Sequence, residues 1–227
     1  MHAVLFPAAA LIAAVLLERA AGAGLCFVKY TVTDNNLEAS ITQDLGEIIE
    51  SPSVKEQTQT TWVYSDMVNG PQHDEGVGAS TIELYNSDGD REDSDSLKFF
   101  GGRYITWDHG ESKMVVTERL ANEPNSDLAA TCLAFLTVAF TDCVAKGSDQ
   151  FFLAFSSHGG GYYGFGGDEN IEDVAATSGL GRRRLMSANA AWAGAITDAM
   201  TAANVPGGKL DVLGFDACLM SSCARIT

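Results

Sequence analysis

Positive charge is what this sequence lacks most. Lys and Arg number 14 against 30 Asp and Glu, a formal net charge of −16. Nucleic-acid binding needs clustered cations on phosphates, so the composition argues against that partner class. Beyond the N-terminus no run is long and apolar enough to cross a bilayer. Internal repeats are absent. The acidic run NSDGDREDSDS (86–96) lacks EF-hand spacing. Gly89 at loop position six would put Leu84 at the first ligand position. It reads as a solvated loop.

What is present suits a folded domain. The chain has 227 residues, of which 46% are hydrophobic, enough for a packed core. Its N-terminus reads MHAVLFPAAALIAAVLLERAAGAG. The apolar run from Ala3 to Leu17, about 15 residues, is short for a membrane span. Ala21-Gly22-Ala23 supplies a small-residue cleavage site. Only His2 could carry positive charge ahead of the run, the weak point of a signal assignment. Residues 1–23 read as a secretory signal peptide and 24–227 as the mature domain. An uncleaved anchor or a buried helix is the alternative. The expected location is extracellular, with no membrane association after cleavage.

The mature chain carries five cysteines, Cys26, Cys132, Cys143, Cys218 and Cys223. An odd count leaves one thiol over. Cys132 and Cys143 fall in one helical pattern, roughly 16 Å apart along its axis. A disulfide needs Cα atoms within about 7 Å, so they cannot bond to each other. Both read as buried small apolar groups.

Alternation of strands and helices organises the rest. LCFVKYTV (25–32) reads as a buried strand, followed by a helix with apolar steps at Leu37, Ile41, Leu45, Ile48 and Ile49. TTWVYSDMV (60–68) is a second strand, and STIELYN a short one within a polar stretch. FFGGRYITW (99–107) reads as extended chain around a Gly-Gly turn. SDLAATCLAFLTVAFTDCVAKG (126–147) is a strong helix with a Ser or Asn cap and a Gly stop. QFFLAFSS (150–157) is a near-continuous apolar run, as expected of a strand covered on both faces. An Ala-rich helix (187–208) and a further buried strand, KLDVLGF (209–215), follow. Such alternation predicts an α/β fold with a mainly parallel sheet.

Two of these strands end in chemistry. The first delivers His158 and the glycines of HGGGYYG (158–164); the second delivers Cys218 in GFDACLM (214–220). Gly159 to Gly164 formally fits a dinucleotide-binding glycine pattern. FGGDENIEDV then brings acids, not the helix that would face a pyrophosphate. In open α/β sheets the functional crevice lies beyond the carboxyl ends of the strands. One crossover helix between the strands would place the two tips side by side. A Cys near a His forms an activated nucleophile, because the ion pair favours the thiolate. The N–H groups of Gly159 and Cys218 are candidate oxyanion donors. Taken singly, His158 could be a satisfied strand-end histidine, Cys218 a core thiol and Asp216 a helix cap.

HGGGYYG and GFDACLM, with YTVTDNNLE (30–38) and WVYSDM (62–67), resemble the clostripain-like cysteine peptidases, from about Tyr30 to Met220. The resemblance implies a caspase-like three-layer α/β sandwich, with further strands beyond the point where this chain stops; the expectation is a fold truncated at its C-terminus. It implies an endopeptidase cleaving protein or peptide substrates after Arg or Lys, with His158 and Cys218 as the dyad and Asp216 as the acid gripping the basic side chain. Bidentate carboxylate–guanidinium bonding supports that last role. Ser157 stands where the family usually has an Asp. Relatives often cut themselves between the two motifs, which makes Arg182, Arg183 and Arg184 in GLGRRRLMS autoprocessing candidates; an exposed loop relieving acidic charge is the alternative. No cofactor is required. Calcium, which activates some relatives, would have the acidic loops 86–95 and 168–173 as oxygen-rich sites. The rival function is a secreted binding protein, a truncated homologue that keeps the peptide groove without turnover.

Overall fold

The protein is described from a computed structural model over residues 24–33, 37, 41, 44, 46–48, 51, 54, 59–67, 84–85, 101–110, 112–120, 124–159, 165–166 and 189–217. The strands are β1 (Gly24–Val32), β2 (Gln59–Met67), β3 (Leu84–Tyr85), β4 (Gly101–Asp108), β5 (Lys113–Arg119), β6 (Ser148–Ser156) and β7 (Val212–Asp216). The helices described from end to end are α1 (Ala129–Ala145) and α2 (Asn189–Ala202), with a 3-10 turn at Pro206–Gly208. The strands form one sheet in the order β3-β5-β4-β2-β1-β6-β7. Pairs β1–β2, β1–β6, β6–β7 and β3–β5 are parallel, whereas β2–β4 and β4–β5 are antiparallel. The sheet is therefore mixed and mostly parallel.

Strand alternation divides the side chains between two faces. Cys26, Val28, Tyr30 and Val32 of β1 join Phe151, Leu153 and Phe155 of β6 on one face, all buried against α1 and α2. Tyr30 stacks on Tyr64 with ring centroids 4.5 Å apart, and both pack against Phe135 of α1. The opposite face carries Val63, Ile105, Trp107, Met114 and Val116, packed with Val54 and Ile48. Ile41, Asp44, Gly46–Ile48 and Val54 are helical positions, so this side supplies the third layer.

Several boundaries differ from expectation for identifiable reasons. Gly101 and Gly102 lie inside β4, not in a turn. A Cβ on Gly102 would stand 2.7 Å from Tyr64 Oη and 2.9 Å from Pro124 Cγ, so close packing accounts for the glycine. α1 has no side-chain cap at Leu128. Asn125 Oδ1 instead accepts from the Asp127 N–H at 3.0 Å, and Ser126 joins a buried network. The helix stops at Gly147 as the sequence predicts, with φ +82°. β5, KMVVTER, adds a strand that the sequence pattern does not predict. Among the described residues β7 is the last strand on its side of the sheet, and Val212 and Phe215 are 48% and 42% exposed where the sequence predicts burial. Cys143 is buried but is not a free small apolar group, because it forms a disulfide with Cys26 that ties β1 to the last turn of α1. Cys132 is the free cysteine among the described residues. Burial pushes its thiol well above the ordinary value.

Candidate active site

β6 and β7 lie side by side and parallel, in a register that pairs Ser156 with Asp216. Both strands end at this pair. His158 follows Ser156 by two positions, and Cys218 follows Asp216 by two. Among the described residues, α2 is the crossover helix between the strands. Cys218, Cys223 and Arg182, Arg183 and Arg184 lie outside the described residues, as do segment 1–23 and the two acidic loops.

The root of the glycine loop is closed on itself. Gly159 forms an antiparallel bridge with Phe165, and the Gly166 N–H donates to the His158 carbonyl at 3.0 Å. A bond flanking an antiparallel pair in this way marks the pair as the type that exchanges no bonds directly. The Gly159 N–H is therefore not consumed by the bridge. Phe165 is buried and fixes the loop to the core, with its ring 5.3 Å from Phe155 and 5.8 Å from Trp192. His158 is half-buried at this rim.

Asp216 faces the side of the sheet away from α1 and α2. Its Oδ2 accepts from Ser156 Oγ at 3.0 Å. Lys29, almost fully buried on β1, brings Nζ to 3.9 Å from Asp216 and 3.4 Å from Asp44. Burial and a hydrogen bond with Asp216 raise the Asp44 carboxyl above its ordinary range, while Lys29 pulls it down less strongly. The three groups border a cleft of about 530 Å³ whose lining includes Phe27, Glu47, Ile48 and Phe152. Apolar walls with carboxylates at one end suit a long side chain ending in a cation. Lys29 and Asp44 are members of this cluster that the sequence motifs do not single out. The available signal was a lone lysine in the apolar strand LCFVKYTV, on the face shared with Phe27.

The structure thus brings His158, Gly159 and Asp216 to the carboxyl-terminal rim of two neighbouring strands. Among the described residues no group of three or more His, Cys, Asp or Glu could hold a metal ion. No helix among them is long and apolar enough to cross a membrane.

Comparison with known proteins concerns the fold and the family. A secreted C11 cysteine protease from Bacteroides thetaiotaomicron, solved with an irreversible peptide inhibitor, superposes with a TM-score of 0.51 at 19% identity, over 87% of this chain and 43% of that one. An inactive zymogen C11 protease from Parabacteroides distasonis gives a TM-score of 0.49 at 18% identity, over 88% and 43%. The chain therefore spans less than half the length of these two proteins. No curated protein sequence matches it. The family model of the clostripain family matches residues 29–225, nearly the whole of the chain that follows the N-terminal apolar segment, and on that match the chain belongs to the clostripain family of C11 peptidases.

Proposed function

We propose that this chain carries the catalytic face of a cysteine endopeptidase that cleaves after Arg or Lys. The observation that carries the reading is the β6–β7 register: two adjacent parallel strands end at one pair, Ser156 and Asp216, and the chain reaches His158 and Cys218 at the same offset beyond it. Parallel neighbours lie about 4.8 Å apart, so equal offsets favour a short imidazole–thiol separation.

In this reading the Cys218 thiolate attacks the carbonyl carbon of the scissile peptide. As the C–N bond breaks, the His158 imidazolium gives its proton to the leaving amine, and a thioester remains. His158 then takes a proton from water, whose oxygen attacks the thioester and releases the acid and the thiolate. The Gly159 and Cys218 N–H groups hold the oxyanion. Asp216 binds the substrate's cationic side chain at the mouth of the cleft, where its carboxylate is largely exposed; the incoming cation takes the place of the 3.9 Å contact with Lys29.

Secretion fits the same reading. A disulfide such as Cys26–Cys143 persists in oxidising compartments, which supports residues 1–23 as an export signal. Acidic loops 86–95 and 168–173 are the proposed location for calcium, should it be required.

The test is hydrolysis of a fluorogenic peptide ending in Arg by the full 227-residue chain and its Cys218→Ala variant, with mass spectrometry of both. Turnover in the parent alone, with cutting at Arg182, Arg183 or Arg184 that the variant lacks, is expected. Equal rates in both proteins refute the dyad, and equal cutting refutes self-processing.

A further inference from the structure

Asp127 is a fully buried carboxylate that the proposed reaction does not use. It sits two positions before α1. A carboxylate is buried only in surroundings built to receive it, so what it touches is informative.

The residue facing it is Gly166. A Cβ at that position would collide with Asp127 Oδ1 and stand 2.9 Å from its Cγ. Gly166 also has φ +119°, a conformation that side-chain-bearing residues rarely adopt. Its backbone therefore lies flush against the carboxylate, in a place only glycine fits. The same glycine donates its N–H to the His158 carbonyl. A short path thus runs from Asp127 through Gly166 to the backbone of His158.

The support behind Asp127 is rigid. Ser126 accepts from the Tyr30 hydroxyl through its carbonyl at 2.9 Å. Its own hydroxyl lies 2.6 Å from Tyr64 Oη and donates to Asp66. These partners come from β1 and β2, so the turn bearing Asp127 is tied to the centre of the sheet.

We propose that Asp127 is a positioning residue for His158: its carboxylate seats Gly166, and Gly166 fixes the His158 backbone at the rim of the sheet. The proposal rests on the reading of His158 as the imidazole of the dyad. An Asp127 serving only as a negative charge near the start of α1 would contribute stability without affecting His158.

The test compares wild type, Asp127→Asn and His158→Ala in the full chain. Three readouts are taken: the urea midpoint, the rate of Cys218 alkylation by iodoacetamide followed by peptide mass spectrometry, and the ring signals of ¹⁵N-labelled histidine assigned through His158→Ala. Asp127→Asn is expected to fold, to slow Cys218 alkylation at least about tenfold, and to move the His158 ring signals. A folded variant with unchanged ring signals overturns the positioning role. Wild-type alkylation in His158→Ala instead refutes the dyad, so the two failures are distinct. Should Asp127→Asn not fold, Gly166→Ala presses on the same contact from the loop side, and unchanged ring signals there overturn the proposal equally.

Discussion

Reducing the Cys26–Cys143 disulfide should be the costliest single covalent perturbation of this fold. The bond joins residues 117 apart in sequence. In the chain-entropy treatment, closing a loop of that length removes about 16 cal/mol/K from the unfolded ensemble, or about 4.9 kcal/mol at 25 °C. Native disulfides commonly contribute about 2–5 kcal/mol, so a loss of about 3–5 kcal/mol is expected here. At roughly 2–4 °C per kcal/mol for a chain of this size, the midpoint of thermal unfolding falls by roughly 6–20 °C.

The assay must respect burial. Both sulfurs are inaccessible in the native state, so reduction is done in urea, followed by refolding under reductant and comparison with the oxidised protein. Cys132 serves as an internal control. It is buried with its thiol pushed up, so it should resist alkylation until the chain unfolds in either form. A reduced protein within about 1 kcal/mol of the oxidised one would show that the unfolded chain is already compact around these residues, and would refute the loop-entropy argument.

Two further predictions concern packing and charge. Gly102→Ala would drive a methyl to 2.7 Å from Tyr64 Oη and 3.0 Å from Leu120 Cδ1, and should cost about 1–3 kcal/mol in urea unfolding; an unchanged midpoint would mean that β4 can back away. The carboxyl of Asp44 is raised above its ordinary 3.8, so the folded state holds its proton longer than the unfolded state and stability is lost as pH rises through that window. Asp44→Asn should therefore gain on wild type as pH rises from below the ordinary carboxylate range through the raised Asp44 titration, and the opposite slope would mean that attraction to Lys29 outweighs burial.

Much of the scaffold was legible because its strands are apolar and its helices long. β1, β2 and β6 were placed within a residue or two, and the parallel neighbours β6 and β7 followed from the crossover between them. β5 escaped because KMVVTER alternates over few residues and ends in charge. The partner of Cys143 escaped because connectivity is not encoded in spacing: the helix pattern put Cys143 on the buried face, but nothing local named a cysteine 117 residues earlier. In the sequence Asp127 is only part of a helix start. Its relation to His158 depends on Gly166, which the sequence shows as one more glycine in a glycine-rich loop.

The two faces of the sheet divide the labour at the rim. Lys29, Ser156 and Asp216 point into the cleft, and the register places them together. Phe155, Phe165, Trp192 and Phe215 form the aromatic cluster on the other face, with Phe155 and Phe215 stacked at 5.6 Å and Phe165 packed onto both. The residue after each strand end leaves the ladder between the face that carries the cleft and the face that carries the aromatic cluster. Substitutions on the aromatic side should then lower stability and loosen the His158 loop together, since Phe165 is the loop's anchor. Substitutions on the cleft side should alter which cation is held near Asp216 while leaving the loop in place, because no aromatic ring of the anchor reaches that face.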